Sequence, residues 1–186
     1  MEFSLHNWTT APADSRAALK RVGEELGYVP ALLAQMAESP PVLEAYGTLS
    51  AIFRRSSLTP IEQQIVLLAV SVENASHYCT PAHAIRARAA SLDEAAVTAI
   101  RRGRPLPDAR QEALRRLTVQ MVRKHGTVSE SELDAFVTAG FTRANILEII
   151  LAVGLKTLSN YVAFVAKTPL DPPMVAEAFA AGRPCA

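Results

Sequence analysis

Cysteine is scarce in this chain. Cys79 and Cys185 are the only two in 186 residues. Two cysteines do not make a disulfide framework, and such sparing use points to a reducing compartment. Net charge is nearly absent as well. Nineteen basic residues stand against eighteen acidic ones, for a formal charge of +1. No global field therefore draws the chain to nucleic acid or to an anionic membrane. The arginine clusters (Arg54 and Arg55, Arg86 and Arg88, Arg101 to Arg104, Arg115 and Arg116) are balanced by acids and read as solvated helix faces.

Other absences narrow the class further. No uninterrupted apolar run approaches the roughly 18 residues of a membrane span. The opening MEFSLHNWTTAPADSR has an acid at its second residue and no apolar centre, so it does not read as a signal peptide. The expected location is cytoplasmic, with neither a membrane nor a nucleic acid as partner. No glycine-rich phosphate loop is present, and no convincing metal quartet, so neither cofactor nor metal is expected. His77, Cys79 and His83 are ligand types, but one turn of helix rarely converges three of them and no fourth ligand is evident. His6 and His125 stand alone and read as surface residues. No segment reads as a strand.

What is present is helical periodicity and a substantial apolar fraction, 49%, enough for a core without disulfides. The class expected is all-α. Helices are expected from Asp14 to Leu26, stopped by Gly27; from Pro30 to about Glu38, broken by Ser39-Pro40-Pro41; and from Val42 to Arg55. Thr59-Pro60-Ile61-Glu62 is a capping box with proline at the first helical position. The helix it opens is apolar almost all round between Ile65 and Val72, as buried helices are. Ser91-Leu92-Asp93-Glu94 reads as a second capping signature, for a helix to about Arg102. Gly103 to Pro107 is a linker. Further helices run from Asp108 to His125, from Ser129 to Gly140, from Thr142 to Lys167, and from about Met174 to Ala181.

Laid on itself at an offset of 83, the chain sets LLAVSVENASHY over ILAVGLKTLSNY, with Thr59 on Thr142, Ser76 on Ser159 and Tyr78 on Tyr161. This reads as a duplication within one domain spanning 1–186. A motif-bearing unit covers about 42–103, and a pseudo-repeat covers about 108–168. Only the first copy can carry thiol chemistry, because Val162 and Ala166 occupy the places of Cys79 and His83.

Cys79 and His83, at i and i+4, share a helix face. Pro81 between them is cheap only near a helix start, so a helix beginning between His77 and Thr80 would put Cys79 in or beside its first turn. Amide groups and the positive dipole end there suit a thiolate, and a protonated His83 would add to the effect. A buried cysteine beside an unrelated histidine fits the same spacing.

The stretch Ala69 to His83, AVSVENASHYCTPAH, resembles the core motif of the alkylhydroperoxidase D / carboxymuconolactone decarboxylase superfamily. That motif is an apolar helix ending in Ala-Val-Ser, then Asn, then Cys-x-x-Cys-x-x-x-His. The resemblance implies an alkylhydroperoxidase D-like helical bundle assembled as a homo-oligomer, a trimer or hexamer. It also implies thiol-dependent reduction of a hydroperoxide or other small molecule, with a thiol as reductant. Carried over by position, Cys79 is the second cysteine, His83 the activating histidine, Ser76 stands for the first cysteine and Gln64 for the relay glutamate. Ser76 cannot form a disulfide, and Gln64 cannot titrate. The implied peroxidase is therefore a one-cysteine site, in which Cys79 becomes a sulfenic acid. His83 serves as base or as the cation beside the thiol, and Cys185 is a candidate resolving thiol. Two other readings remain open. One is a redox-inactive member binding a small molecule among Gln64, Ser76, Tyr78, Cys79 and His83. The other is a carboxymuconolactone decarboxylase-like lyase or hydrolase using His83.

Overall fold

A computed structural model describes residues 2–180, without the side chains of 179 and 180. Cys185 lies outside the described residues. Ten helices and no strand occupy the described chain: α1 (Ala13–Leu26), α2 (Ala31–Met36), α3 (Pro40–Phe53), α4 (Pro60–Glu73), α5 (Cys79–Ala89), α6 (Glu94–Arg101), α7 (Ala109–Arg123), α8 (Glu130–Thr138), α9 (Arg143–Val165) and α10 (Pro172–Ala180).

The all-round apolar character of α4 has the expected cause. The helix is wrapped by α5, α6, α7 and α9, and Ile65, Val66, Leu68 and Val70 are all fully buried. Each such side chain contributes about 1.5–3 kcal/mol relative to exposure. The start of α4 is fixed by the expected box: the Thr59 amide donates to Glu62 and the Glu62 amide to Thr59 Oγ1. Ser129 with Glu132, and Thr142 with Asn145, do the same for α8 and α9.

Two local expectations are corrected. Pro40 and Pro41 do not merely break a helix; they open α3, with Ser39 as cap, because the missing proline N–H falls where no intrahelical partner exists. At α6 the capping side chain is Asp93, which accepts from the Ala95 amide, and not Ser91, which sits at φ 70° in the turn before it.

The arginine faces are also not all solvated. The Arg101 side chain is almost fully buried, and together with Arg88 it clasps Glu177 of α10, Arg88 at 2.6 Å. This clasp helps hold α10 beside α5. His6 does not stand alone, since its Nε2 lies 2.8 Å from the Glu38 carboxylate.

Helix α9 is long and apolar enough to cross a membrane by length and composition. In the fold it packs against α2, α3, α4, α5 and α7. Its buried stripe runs through Ile149, Ala152, Lys156, Ser159, Asn160 and Ala163. Its outer side leaves Leu147, Ile150, Tyr161, Phe164 and Val165 exposed.

Candidate active site

The site forms where α4 turns into α5. Helix α4 ends at Asn74, and Ala75 takes a left-handed φ of 51°. The Ser76 hydroxyl then accepts from the Cys79 amide at 3.3 Å, and α5 begins at Cys79. The proline argument therefore places the cysteine correctly, in the first turn. Ser76, fully buried, acts as a local cap for one of the turn's unpaired donors.

The residues flanking the turn are fastened to the chain beyond α9. The Tyr78 hydroxyl donates to Asp171 Oδ2 at 2.5 Å, and the other Asp171 oxygen accepts from the Ala31 amide at 3.0 Å. Burial, reinforced by the carboxylate, pushes the Tyr78 phenol far above its ordinary range, so it stays a donor. His77 Nε2 donates to the Thr168 carbonyl at 2.8 Å. That bond turns His77 to a structural contact and leaves it outside any cluster with Cys79. Among the described residues no three His, Cys, Asp or Glu side chains converge as a metal group.

His83 lies one turn along α5 from Cys79, 4% exposed. Its Nδ1–H donates to Gln64 Oε1 at 3.1 Å. The amide oxygen only accepts, which leaves Nε2 as the unprotonated nitrogen. Nε2 in turn accepts from Lys156 Nζ at 3.0 Å. Burial, with Lys156 and Arg86 adding positive charge nearby, holds His83 well below its ordinary range. Of the two roles expected for His83, base or cation, these contacts fit the first. His83 is a neutral imidazole and not the cation beside the thiol.

The cationic group at the site is Lys156, 2% exposed. Burial lowers its proton affinity, while charge interaction and hydrogen bonding with Cys79 act in the opposite sense. Its amine bonds His83. The Cys79 thiol meets Ser159 Oγ at 3.9 Å. Cys79, His83, Lys156 and Ser159 thus form one polar knot between α5 and α9, with Gln64 closing it from α4. Glu62 points elsewhere, to Arg110 and its own cap, as the half-turn offset from Gln64 requires.

Lys156 and Ser159 were not reached from the sequence as site residues. The signal was there: Lys156 is the lone charge between Ile149 and Val165, on the same stripe as Ile149, Ala152 and Ala163. Asn160, the next residue on that stripe, is fully buried, and neither amide atom has a hydrogen-bond partner among the described residues.

The knot is closed. Cys79 is 2% exposed. Two surface depressions, one at Ile52, Arg55, Ser56, Glu148 and Leu151 and one at Phe3, Tyr161, Val162, Val165 and Ala166, are lined by none of its members.

Among the described residues, fold and site define an all-helical protein with one buried thiol, Cys79, beside a Lys–His–Gln network. Residues 40–117 match the carboxymuconolactone decarboxylase family. This stretch, 78 of the 186 residues, contains the motif from Ala69 to His83 and supports the likeness to the alkylhydroperoxidase D-like/carboxymuconolactone decarboxylase superfamily. No curated protein sequence matches it significantly. Among solved structures it is similar to an alkylhydroperoxidase AhpD core, an uncharacterized peroxidase-related protein from Ralstonia eutropha JMP134, at TM-score 0.84 and 20% identity over 95% of each chain. It is also similar to an uncharacterized peroxidase-related protein from Silicibacter sp. TM1040, at TM-score 0.79 and 23% identity, over 92% of this chain and 91% of that one. A third similar structure is the debrominase Bmp8, in a cysteine-to-alanine form holding 2,3,4-tribromopyrrole, at TM-score 0.77 and 13% identity over 95% of each chain. These three likenesses show the fold.

Proposed function

We propose that the protein reduces a small hydroperoxide at a single cysteine, Cys79, at the expense of an external thiol. The observation that supports this best is the pairing of the two helices: the Lys156 amine of α9 bonds His83 Nε2 at 3.0 Å, and the Cys79 sulfur, one turn before His83 on α5, meets Ser159 of α9 at 3.9 Å. A thiolate attacks the terminal peroxide oxygen, the O–O bond breaks, and an alkoxide leaves. The departing alkoxide needs a proton, and the lysine ammonium has one beside it. His83, neutral and accepting, can take up or return that proton. Ser76 positions the first turn of α5, and Gln64 fixes the His83 tautomer. Closure of the site favours small substrates.

The likeness to a debrominase gives a second electrophile to compare. A thiolate that takes an oxygen from a peroxide can also take a halogen from an activated aryl bromide. The test is consumption of cumene hydroperoxide, and of a tribrominated pyrrole, in the presence of dithiothreitol. Hydroperoxide turnover that disappears in Cys79→Ser supports the reading. Turnover that survives in Cys79→Ser and disappears in His83→Ala transfers it to lyase or hydrolase chemistry at the imidazole. No turnover in the wild type, with a ligand bound, leaves a binding module.

The exposed apolar stripe of α9, with the apolar groove of about 220 Å³ beside Tyr161 and Val165, supports a homo-oligomer with a second copy covering it. Light scattering that gives a stable monomer removes that part of the proposal.

A further inference from the structure

We propose that Lys156 is the resolving group of this site: once Cys79 is oxidised to its sulfenic acid, the lysine amine condenses with it to form a Cys79–Lys156 sulfenamide crosslink. The inference rests on thiol oxidation at Cys79 and goes beyond it.

Three observations carry it. First, the usual resolving sulfur is missing. Ser76 stands three residues before Cys79, and Cys79 is the one free cysteine among the described residues. Second, the sulfur is shut away from solvent at 2% exposure, so an incoming reductant cannot easily be the first group to meet the sulfenic acid. A nucleophile already inside has the advantage of proximity. Third, the Lys156 amine is that nucleophile. It is held by a 3.0 Å bond to His83 Nε2, one turn along α5 from Cys79, while the sulfur itself meets Ser159, one turn along α9 from Lys156, at 3.9 Å. Both partners sit on rigid helices, α5 and α9.

The chemistry balances. Cys79 thiolate attacks the hydroperoxide, forming an S–O bond and releasing an alkoxide, which takes a proton from the Lys156 ammonium and leaves as an alcohol. Two things follow for the lysine. It is now a neutral amine, and the negative sulfur that favoured its charged form has become an uncharged sulfenic acid. Burial favours the neutral amine further. The nitrogen lone pair then attacks sulfur, the S–O bond breaks, and the hydroxyl leaves as water with one nitrogen-bound proton. The sum is thiolate, ammonium and hydroperoxide giving sulfenamide, alcohol and water. Two molecules of a low-molecular-weight thiol reverse it, cleaving the S–N bond through a mixed disulfide and returning the Cys79 thiol and the lysine amine. The crosslink also keeps sulfur from further, irreversible oxidation.

The test uses the full chain carrying Cys185→Ser, which removes the alternative disulfide. Reduced protein is treated with one equivalent of cumene hydroperoxide and followed by intact mass and tryptic mapping. The expected product has lost two hydrogens. It joins peptide 56–86, which contains Cys79, to peptide 144–167, in which cleavage after Lys156 is blocked. Dithiothreitol restores both. In Lys156→Arg the same treatment is expected to stop at a sulfenic acid that reacts with dimedone and proceeds to the sulfinic acid with excess peroxide. Oxygen gain or a dimedone adduct at Cys79 in the lysine-bearing protein, with normal cleavage after Lys156, overturns the crosslink and leaves thiol oxidation standing. The two-hydrogen loss persisting in Lys156→Arg also overturns it. An unmodified Cys79 overturns both proposals.

Discussion

The Lys156 amine donates to His83 Nε2 at 3.0 Å, deep between α5 and α9. Two basic groups in contact, both buried, cannot both be charged at low cost. The fold settles this by keeping the imidazole neutral and anchoring its other nitrogen on Gln64.

A pH dependence of stability follows. His83 has a folded-state proton affinity below that of the unfolded chain, with Lys156 and Arg86 opposing its charge. As pH falls below the free imidazole value of about 6.5, the unfolded state binds a proton that the folded state refuses, and stability drops by up to about 1.4 kcal/mol per pH unit. The loss continues until the pH passes through the lowered folded value. Urea unfolding of the wild type and His83→Gln between pH 7 and 5 measures it. The acid-side slope is expected to be shallower in the variant by that amount. Equal slopes would mean that His83 takes up a proton as readily in the fold as in the unfolded chain.

Ser76 occupies a fully buried place three residues before Cys79, with its hydroxyl on the Cys79 amide. Ser76→Cys is expected to give a disulfide with Cys79 on mild oxidation, at a cost of about 1 kcal/mol for the lost cap. Thiol counting and a redox titration with dithiothreitol check the bond. A variant that keeps all three thiols free after oxidation, Cys185 included, would show that the left-handed Ala75 turn holds the two positions in the wrong geometry.

Asn160 is buried with both amide atoms unpartnered among the described residues. Each such group costs about 1–3 kcal/mol. Asn160→Leu, similar in volume, is expected to raise unfolding free energy by about 1–2 kcal/mol and to slow Cys79 oxidation. Retention of an expensive polar group next to a reactive knot is expected where activity uses it. Thermal melts and the rate of peroxide consumption are the two readouts. A variant that gains stability with full activity would make Asn160 a mere packing defect.

Asp171 accepts from the Tyr78 hydroxyl and from the first amide of α2. Asp171→Ala leaves both donors buried and unpaired. The expected loss is about 2–4 kcal/mol in urea unfolding, with faster alkylation of Cys79 by iodoacetamide as the start of α5 loosens. Unchanged alkylation would confine the effect of Asp171 to stability.

Most of the helical frame was legible from caps and periodicity. Thr59 with Glu62, Ser129 with Glu132 and the stop at Gly27 are local chemistry, and local chemistry is written in adjacent residues. Where two signals overlapped, the sequence was ambiguous: Ser91 and Asp93 both cap well, and only the backbone turn at Ser91 decides between them. The first turn of α5 was placed from Pro81 alone. Gln64 beside His83 could be expected by position within a motif. Lys156 and Ser159 could not, because they approach Cys79 from about 80 residues away, and periodicity describes one helix at a time. The choice between base and cation for His83 stays open in the sequence for the same reason: it depends on a lysine contributed by another helix.

The Asp171 tie has a consequence for the newly made chain. Cys79 emerges from the ribosome well before Lys156 and Ser159, and before Asp171, which fastens the turn. The 92 residues from Thr80 to Asp171 must be added after Cys79 before the thiol can be enclosed. During that interval it is an ordinary accessible cysteine, lacking both the neighbour that would hold its proton and the walls that would select its reactants. Oxidative stress should therefore damage this protein most severely while it is being translated: a pulse of peroxide should leave the folded pool recoverable by thiol while driving Cys79 of nascent chains to irreversible oxidation.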